Sequence, residues 1–535
     1  MRDFSFPGRS PALATKGMAA TAVPAATLAA LDVLRGGGNA MDAAVAAVAV
    51  LGVVEPMSTG IGGDCFCLYA PAGQRRVIAL NGSGRAPQAA SIDWYEAHGI
   101  AAIEPTSAHA VTVPGAISAW ETLLAAHGKR GLDAVLQPAI RYAEEGFHVT
   151  ARVASDWVDL VDKLRQTGAE GRFLPGGRAP RMGDRFRQPE LAATLRGIAR
   201  HGSRSFYEGP VAADMVAALR LRGGLHTEED FAAGRTAAHF VEPIRLGFRG
   251  LDVWQCPPNG QGLIVLMVLG MLRGFAPVPE GPISLARFHR HIEAARLAYR
   301  DRDAFLADPG QTEVPVDRLL SEQYLNGLGG LIRDDAALAR LPAAGEAALP
   351  AHQDTTYLCV VDGEGNACSF INSLFNGFGS AILAERSGVM LQNRGFGFHF
   401  QRGHPNCIAP GKRPMHTIIP GMVTTPDGEA VMPYGVMGGH FQPMGQTLFL
   451  TNLLDYGMDV QEALDAPRAM ALKGRVEVEC SIPASLREGL ARRGHEVADV
   501  AKPHGGGQAI WIDRERGVLI GGSDPRKDGI ALGYD

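Results

Sequence analysis

Little in this sequence speaks for a metal, a nucleotide or a nucleic acid. No HExxH, EF-hand loop or Walker sequence occurs in its 535 residues, so the spaced donors that define those sites are missing. The Gly-rich GIGGD and HGGGQ lack a following Lys-Ser/Thr, which leaves no phosphate cradle. His289 and His291 are two apart on a predicted helix and face different ways, and His399 and His404 flank a loop with no carboxylate at ligand spacing. No metal and no cofactor are therefore expected. Charge of one sign is also lacking: 51 Lys and Arg against 56 Asp and Glu give a formal net charge of −5, with no long basic run. Nucleic acid and anionic membranes are poor partners for such a surface. The seven cysteines (Cys65, Cys67, Cys256, Cys359, Cys368, Cys407 and Cys480) form no CxxC. That argues against a zinc knuckle or dithiol site and for buried, reduced thiols. Long hydrophobic runs are absent as well. The most apolar one, AMDAAVAAVAVLGVV, contains Asp42, is too short to cross a bilayer and reads as a buried helix. The N-terminal MRDFSFPGRSPALATKG has no apolar core after its basic residues, so the expected location is the cytoplasm.

What is present describes a packed protein. Hydrophobic residues make up 46% and charged residues 20%, and the length calls for two or three units or one large sandwich. Pro24 opens a helical pattern that stops at Gly36-Gly37-Gly38, and Asn39 is placed to cap the Ala-rich helix after it. CFCLYA and RRVIALNG read as strands that lead from and into tight Gly-rich loops. Residues 105–235 are mostly helical, and 285–307 predict one long amphipathic helix. After the Ala/Pro-rich stretch at about 337–354, read as an exposed linker, the character changes. Strands are predicted at 355–362 and 367–371 around the turn GEGN, then short strands, two helices and a final run of strands. The linker is the only clear break in composition, and it divides the chain into 1–354 and 355–535.

Two threonines follow that linker at once. A threonine hydroxyl is almost never ionised at neutral pH and needs an adjacent base. A threonine at a chain start carries its own, an α-amine with a pKa of about 7.7–8.0. Scission between Asp354 and Thr355 would create that pairing, although the local pattern also fits two β-formers that merely open a strand. GVMGGHFQPMG offers Gly438 and Gly439 as backbone N–H donors for a developing oxyanion. The same glycines would serve a plain strand-to-helix turn.

DTTYLCVVDGEGNA, LFNGFGSAI, GKRPMHTIIPGM, GVMGGHFQPMG and GGSDPRKDG, preceded by EPMSTGIGGD, TVPGAISAW, LQPAIRYAEEGF and QCPPNGQG, form an ordered set of anchors from about Ala12 to Tyr534. In these the chain resembles the γ-glutamyltransferase family of N-terminal-nucleophile hydrolases. The resemblance implies an αββα sandwich built from two chains of one autocleaved precursor, with Thr355 as nucleophile. It places Ser373 as a second hydroxyl supporting the nucleophile, and Gly438 and Gly439 as the oxyanion hole. It also shows departures. Where family members hold a γ-glutamyl α-carboxylate with an Arg in a YRETAP-like loop, this chain has NGSGRAP, with Ser83 at the matching position and Arg85 two residues on. The Asn and Asp that hold the α-ammonium become Phe375 and Gly397. A pocket Gln becomes Arg394, and a Ser-Ser pair that touches the carboxylate becomes His416-Thr417.

The expectation is thus an autoprocessing amidohydrolase whose acyl substrate carries a carboxylate but no α-ammonium, of the oxamate or glutaryl type. Arg85, Arg394, His416 and Thr417 are its candidate substrate contacts. The two fragments would form a heterodimer, a pair of such heterodimers being the further assembly considered. γ-Glutamyl hydrolase or transferase activity on glutathione-like amides, a processed but non-catalytic binding protein, and an uncleaved structural protein are the alternatives.

Overall fold

The architecture follows from strands that are apolar on both faces and therefore demand cover on both. A computed structural model describes residues 8–341, 355–472 and 474–535; Asp354 and the stretch before it to residue 342 lie outside the described residues. Two seven-stranded antiparallel sheets lie face to face. The first runs in the order Ile530–Tyr534, Gly17–Thr21, Thr356–Val361, Ala367–Ser373, Asp64–Ala70, Ile78–Gly82, His239–Val241. The second runs Ala12–Ala14, Val518–Ser523, Gly506–Asp513, Ala430–Met437, Gly421–Thr424, Leu251–Gln255, Ile244–Phe248. Helices Pro24–Arg35 and Ala40–Val54 cover the outer face of the first sheet; Gly262–Leu272 and Gln442–Tyr456 cover the second. The layers are αββα, as the family resemblance implied.

Thr356–Val361 and Ala367–Ser373 are buried along their whole lengths, the mark of strands sandwiched between two layers. Where the sheets approach most closely a side chain is dispensed with. A Cβ on Gly435 would lie 2.4 Å from the Tyr357 ring, and one on Gly521 would lie 2.3 Å from the Met18 sulfur.

The Ala-rich helix Ala40–Val54 is buried at every position, and Asn39 caps it by accepting from the N–H groups of Met41 and Asp42. The long helix is Leu285–Phe305. Its buried side is less apolar than an amphipathic pattern leads one to expect, because Arg287, His289, His291, Glu293, Asp301 and Arg302 are all buried. Their charges and polar atoms are met by partners distant in sequence: Arg287 donates to the Leu448 carbonyl and to Thr451, and His289 Nδ1 lies 2.8 Å from His495 Nε2. The first residues of the predicted linker are held too. The Ala337 N–H donates to the Arg493 carbonyl and the Leu338 N–H to Glu293, whereas Ala339 and Arg340 are exposed. Among the described residues no helix is long and apolar enough to cross a membrane.

Candidate active site

Thr355 and Ser373 stand at the same end of neighbouring strands. Thr355 immediately precedes Thr356–Val361, whose partner Ala367–Ser373 pairs Asn372 with Thr356. This brings the Thr355 and Ser373 hydroxyl oxygens to 3.3 Å. Both residues are buried. The next strand pairs Ser373 with Asp64.

From Ser373 a chain of contacts leads away from Thr355. Its Oγ accepts from the Phe375 N–H at 2.8 Å and from Arg394 Nη2 at 3.3 Å. Arg394 Nη1 donates to Thr417 Oγ1 at 2.6 Å. The Phe375 ring lies under the guanidinium, 4.1 Å from its centre, a cation–π contact that holds the group flat. Arg394 is wholly buried, and its Nε–H has no partner among the described residues. Burial pushes its pKa down to about 9, against the pull of the negative charge on Asp64, so it stays a cation at neutral pH. A buried cation with N–H groups to spare is costly unless an anion completes it.

The loop after Ser373 is built to hold Phe375 in this place. Phe375 has φ +83°, with Phe378 at +57° and Ala381 at +54°. Non-glycine residues there cost of order 1–3 kcal/mol each and persist only where their surroundings fix them. Lys163 Nζ donates to the carbonyls of Gly377 and Gly379, the former at 2.6 Å. Phe378 packs between Trp157 and Phe173.

Gly438 and Gly439, at φ +119° and +56°, turn the chain from Ala430–Met437 into the helix that follows. Successive N–H groups in such a turn form a concavity suited to an anion. Gln261 Nε2 ties this turn to the rest of the cluster: it donates to the Thr417 carbonyl at 2.8 Å and to the Gly439 carbonyl at 2.9 Å. Behind it, Arg302 Nη1 lies 3.2 Å from Gln261 Oε1 and 3.0 Å from His440 Nδ1.

The structure therefore brings Thr355, Ser373, Arg394 and Thr417 into one chain of contacts and joins Gly439 to it through Gln261. His416 borders the cluster without touching the hydroxyls. Its Nε2 donates to Asp64 at 3.0 Å, and burial, followed by the Arg394 charge, pushes its pKa down to about 4. His416 is thus neutral and is held by Asp64. Arg85 is drawn elsewhere: it donates to the Gly411 carbonyl at 2.8 Å and lies 3.7 Å from Asp308, its side chain 41% exposed. Ser83 is buried and accepts from Asn259, and Gly397 ends the short helix Arg394–Gly397.

Sequence reasoning missed Asp64 and Gln261. The Asp64 carboxylate accepts from the Gly84 and Gly115 N–H groups, from Gln392 Nε2 and from His416. An acidic residue at the head of the apolar strand DCFCLYA is the signal that could have singled it out. Among the described residues no group of three His, Cys, Asp or Glu is placed to hold a metal.

A family model described as Gamma-glutamyltranspeptidase matches residues 26–534. The Glutathione hydrolase-like YwrD proenzyme of Bacillus subtilis (strain 168) is 37% identical over 97% of this chain and 99% of its own length. The Oxamate amidohydrolase proenzyme of Klebsiella pneumoniae is 35% identical over 98% and 99%. Among solved structures, a cephalosporin acylase from Bacillus halodurans superposes with a TM-score of 0.92 at 39% identity, covering 100% of this chain and 99% of that one.

Proposed function

The chain belongs to the γ-glutamyltranspeptidase family of N-terminal-nucleophile hydrolases, and from that premise we propose that it is an autoprocessing amidohydrolase for acyl groups that carry a carboxylate but no α-ammonium. Scission between Asp354 and Thr355 frees the Thr355 amine, whose pKa of about 7.7–8.0 suits it to take a proton near neutral pH. Thr355 Oγ1 attacks the amide carbonyl while that amine accepts its proton. The N–H groups of Gly438 and Gly439 receive the oxyanion, and ammonia or an amine leaves. Water then releases the acyl group by the same steps in reverse order. Fragments 1–354 and 355–535 remain together as a heterodimer.

Arg394 carries the substrate reading. Of its five N–H groups, one goes to Ser373 and one to Thr417, and the Nε–H is unmatched among the described residues. A substrate carboxylate would complete it. An α-ammonium would meet that cation instead, and Asp64 is already occupied by four donors. The mismatch would cost ~2–5 kcal/mol. Arg85, turned to Gly411 and Asp308, is a weaker candidate for the same task. The name of one relative, an oxamate amidohydrolase, agrees with an acyl group of this kind.

The test pairs processing with specificity. N-terminal sequencing of the smaller fragment should read TTYLCV, and Thr355→Ala should stay whole. The mature protein should turn over oxamate or glutaryl-p-nitroanilide faster than γ-glutamyl-p-nitroanilide. A strong preference for the γ-glutamyl compound would overturn the pocket argument and return the chain to glutathione-like substrates.

A further inference from the structure

The Ser373 hydroxyl has three polar neighbours, and together they determine which way its proton points. A hydroxyl has one proton and two lone-pair sites. The Phe375 N–H occupies one site at 2.8 Å and Arg394 Nη2 the other at 3.3 Å. Neither neighbour can accept a proton, since a peptide N–H and a guanidinium only donate. The Ser373 O–H is left with Thr355 Oγ1, at 3.3 Å, as its acceptor.

Resting on the reading of Thr355 as nucleophile, we infer that Arg394 is a positioning residue that acts through Ser373 to orient the Thr355 hydroxyl. Because Thr355 Oγ1 accepts from Ser373, its own proton is directed to another partner, the α-amine that scission frees. In the attack that proton passes to the amine nitrogen and the Oγ1–C bond forms. The carbonyl π pair moves onto oxygen, and Ser373 keeps its proton throughout. As negative charge gathers on Oγ1, the Ser373 O–H, polarised by an adjacent cation, binds it more strongly.

Two further features hold the relay in place. Thr417 Oγ1 fixes Nη1 at 2.6 Å, which sets the plane of the guanidinium and aims Nη2 at Ser373. The left-handed backbone at Phe375 places that residue's N–H on Ser373 and its ring under Arg394 at once. A neutral amide at position 394 could present its oxygen to Ser373 and let the hydroxyl turn away from Thr355; a guanidinium cannot. Arg394 therefore matters even for an acyl group with no carboxylate, which a substrate ligand alone would not.

The experiment measures wild type, Arg394→Gln, Ser373→Ala and the double variant on glutaryl-p-nitroanilide and on butyryl-p-nitroanilide, which carries no charge. The relay requires Arg394→Gln to lower kcat on the butyryl compound by roughly tenfold, a modest share of what a positioned proton acceptor supplies. In the Ser373→Ala background most of that loss should vanish, because the two residues act as one unit. An unchanged kcat on the butyryl compound, or fully additive losses, overturns the relay. If Arg394→Gln does not fold, Arg394→Met carries the test. It fills a similar volume but supplies neither a cation nor a donor to Ser373, so kcat on the butyryl compound should again fall about tenfold, and an unchanged value again overturns the proposal. The premises fail separately. A loss confined to KM for the glutaryl compound removes the relay and keeps the carboxylate site, whereas turnover by a Thr355→Ala control removes the nucleophile assignment itself.

Discussion

Buried histidines tie the stability of this protein to pH in one direction. His416 is wholly enclosed, and burial with the nearby Arg394 charge lowers its pKa from about 6.5 to about 4. His226, at about 4, and His291, at about 3, are lowered chiefly by burial as well. As pH falls, the unfolded chain takes up protons first, so their contribution is complete above about 6.5 and is lost as pH falls toward 4. For His416 alone the loss is up to roughly 3 kcal/mol, at about 1.4 kcal/mol per unit. Denaturant midpoints measured between pH 7.5 and 5 should fall steadily, and His416→Gln, which keeps a donor for Asp64 without titrating, should flatten that slope by up to one proton. An equal slope in the variant would show that His416 does not contribute.

The buried helix Ala40–Val54 shows how a local signal is extended by the fold. Asn39 and Asp42 form a reciprocal cap, and Asn39 was legible in the sequence from its position ahead of the apolar run. Asp42 does more than the cap needs, since it also accepts from the N–H groups of Lys129 and Arg130 at the turn after Ala116–His127. Asn39→Ala should therefore cost about 1 kcal/mol. Asp42→Ala, which leaves several buried donors unmatched, should cost roughly 2–3 kcal/mol. Thermal or urea unfolding of the two variants checks the order; equal losses would mean that the Lys129–Arg130 turn is not anchored there. The helix Leu285–Phe305 marks where periodicity fails. Its charged residues suggest a solvent face, yet Arg287, Glu293 and Arg302 are buried because Thr451, Leu338 and Gln261 come to meet them.

The course of the chain bears on what scission can do. Residues on both sides of the 354/355 junction supply strands to both sheets, and Thr356–Val361 lies between Gly17–Thr21 on one flank and Ala367–Ser373 on the other. Gly17–Thr21 is itself paired with Ile530–Tyr534. Cutting the backbone before Thr355 leaves these ladders and the core between the sheets intact. The processed fragments should co-elute in native gel filtration and part only in denaturant. Separation in plain buffer would contradict the interleaved sheets.

Amino-acid order alone determined which groups can react and which segments fold locally. A threonine after an Ala/Pro-rich stretch, paired glycines after a strand and an Asn ahead of an apolar run are features of neighbouring residues, and their chemistry does not depend on the rest of the chain. The αββα sandwich came instead from the family resemblance that the ordered motifs carry, and not from any local pattern. Tertiary structure decided how the site is wired. Arg85 and Arg394 were indistinguishable as guanidiniums on loops, until Gly411 and Asp308 drew one aside and Ser373, Thr417 and the Phe375 ring enclosed the other. Asp64 and Gln261 gained their places the same way, through partners that only folding brings within hydrogen-bond reach. A side chain's direction is set by whatever surrounds it in space, and those surroundings lie 21 and 23 residues away for Arg394 and 326 away for Arg85.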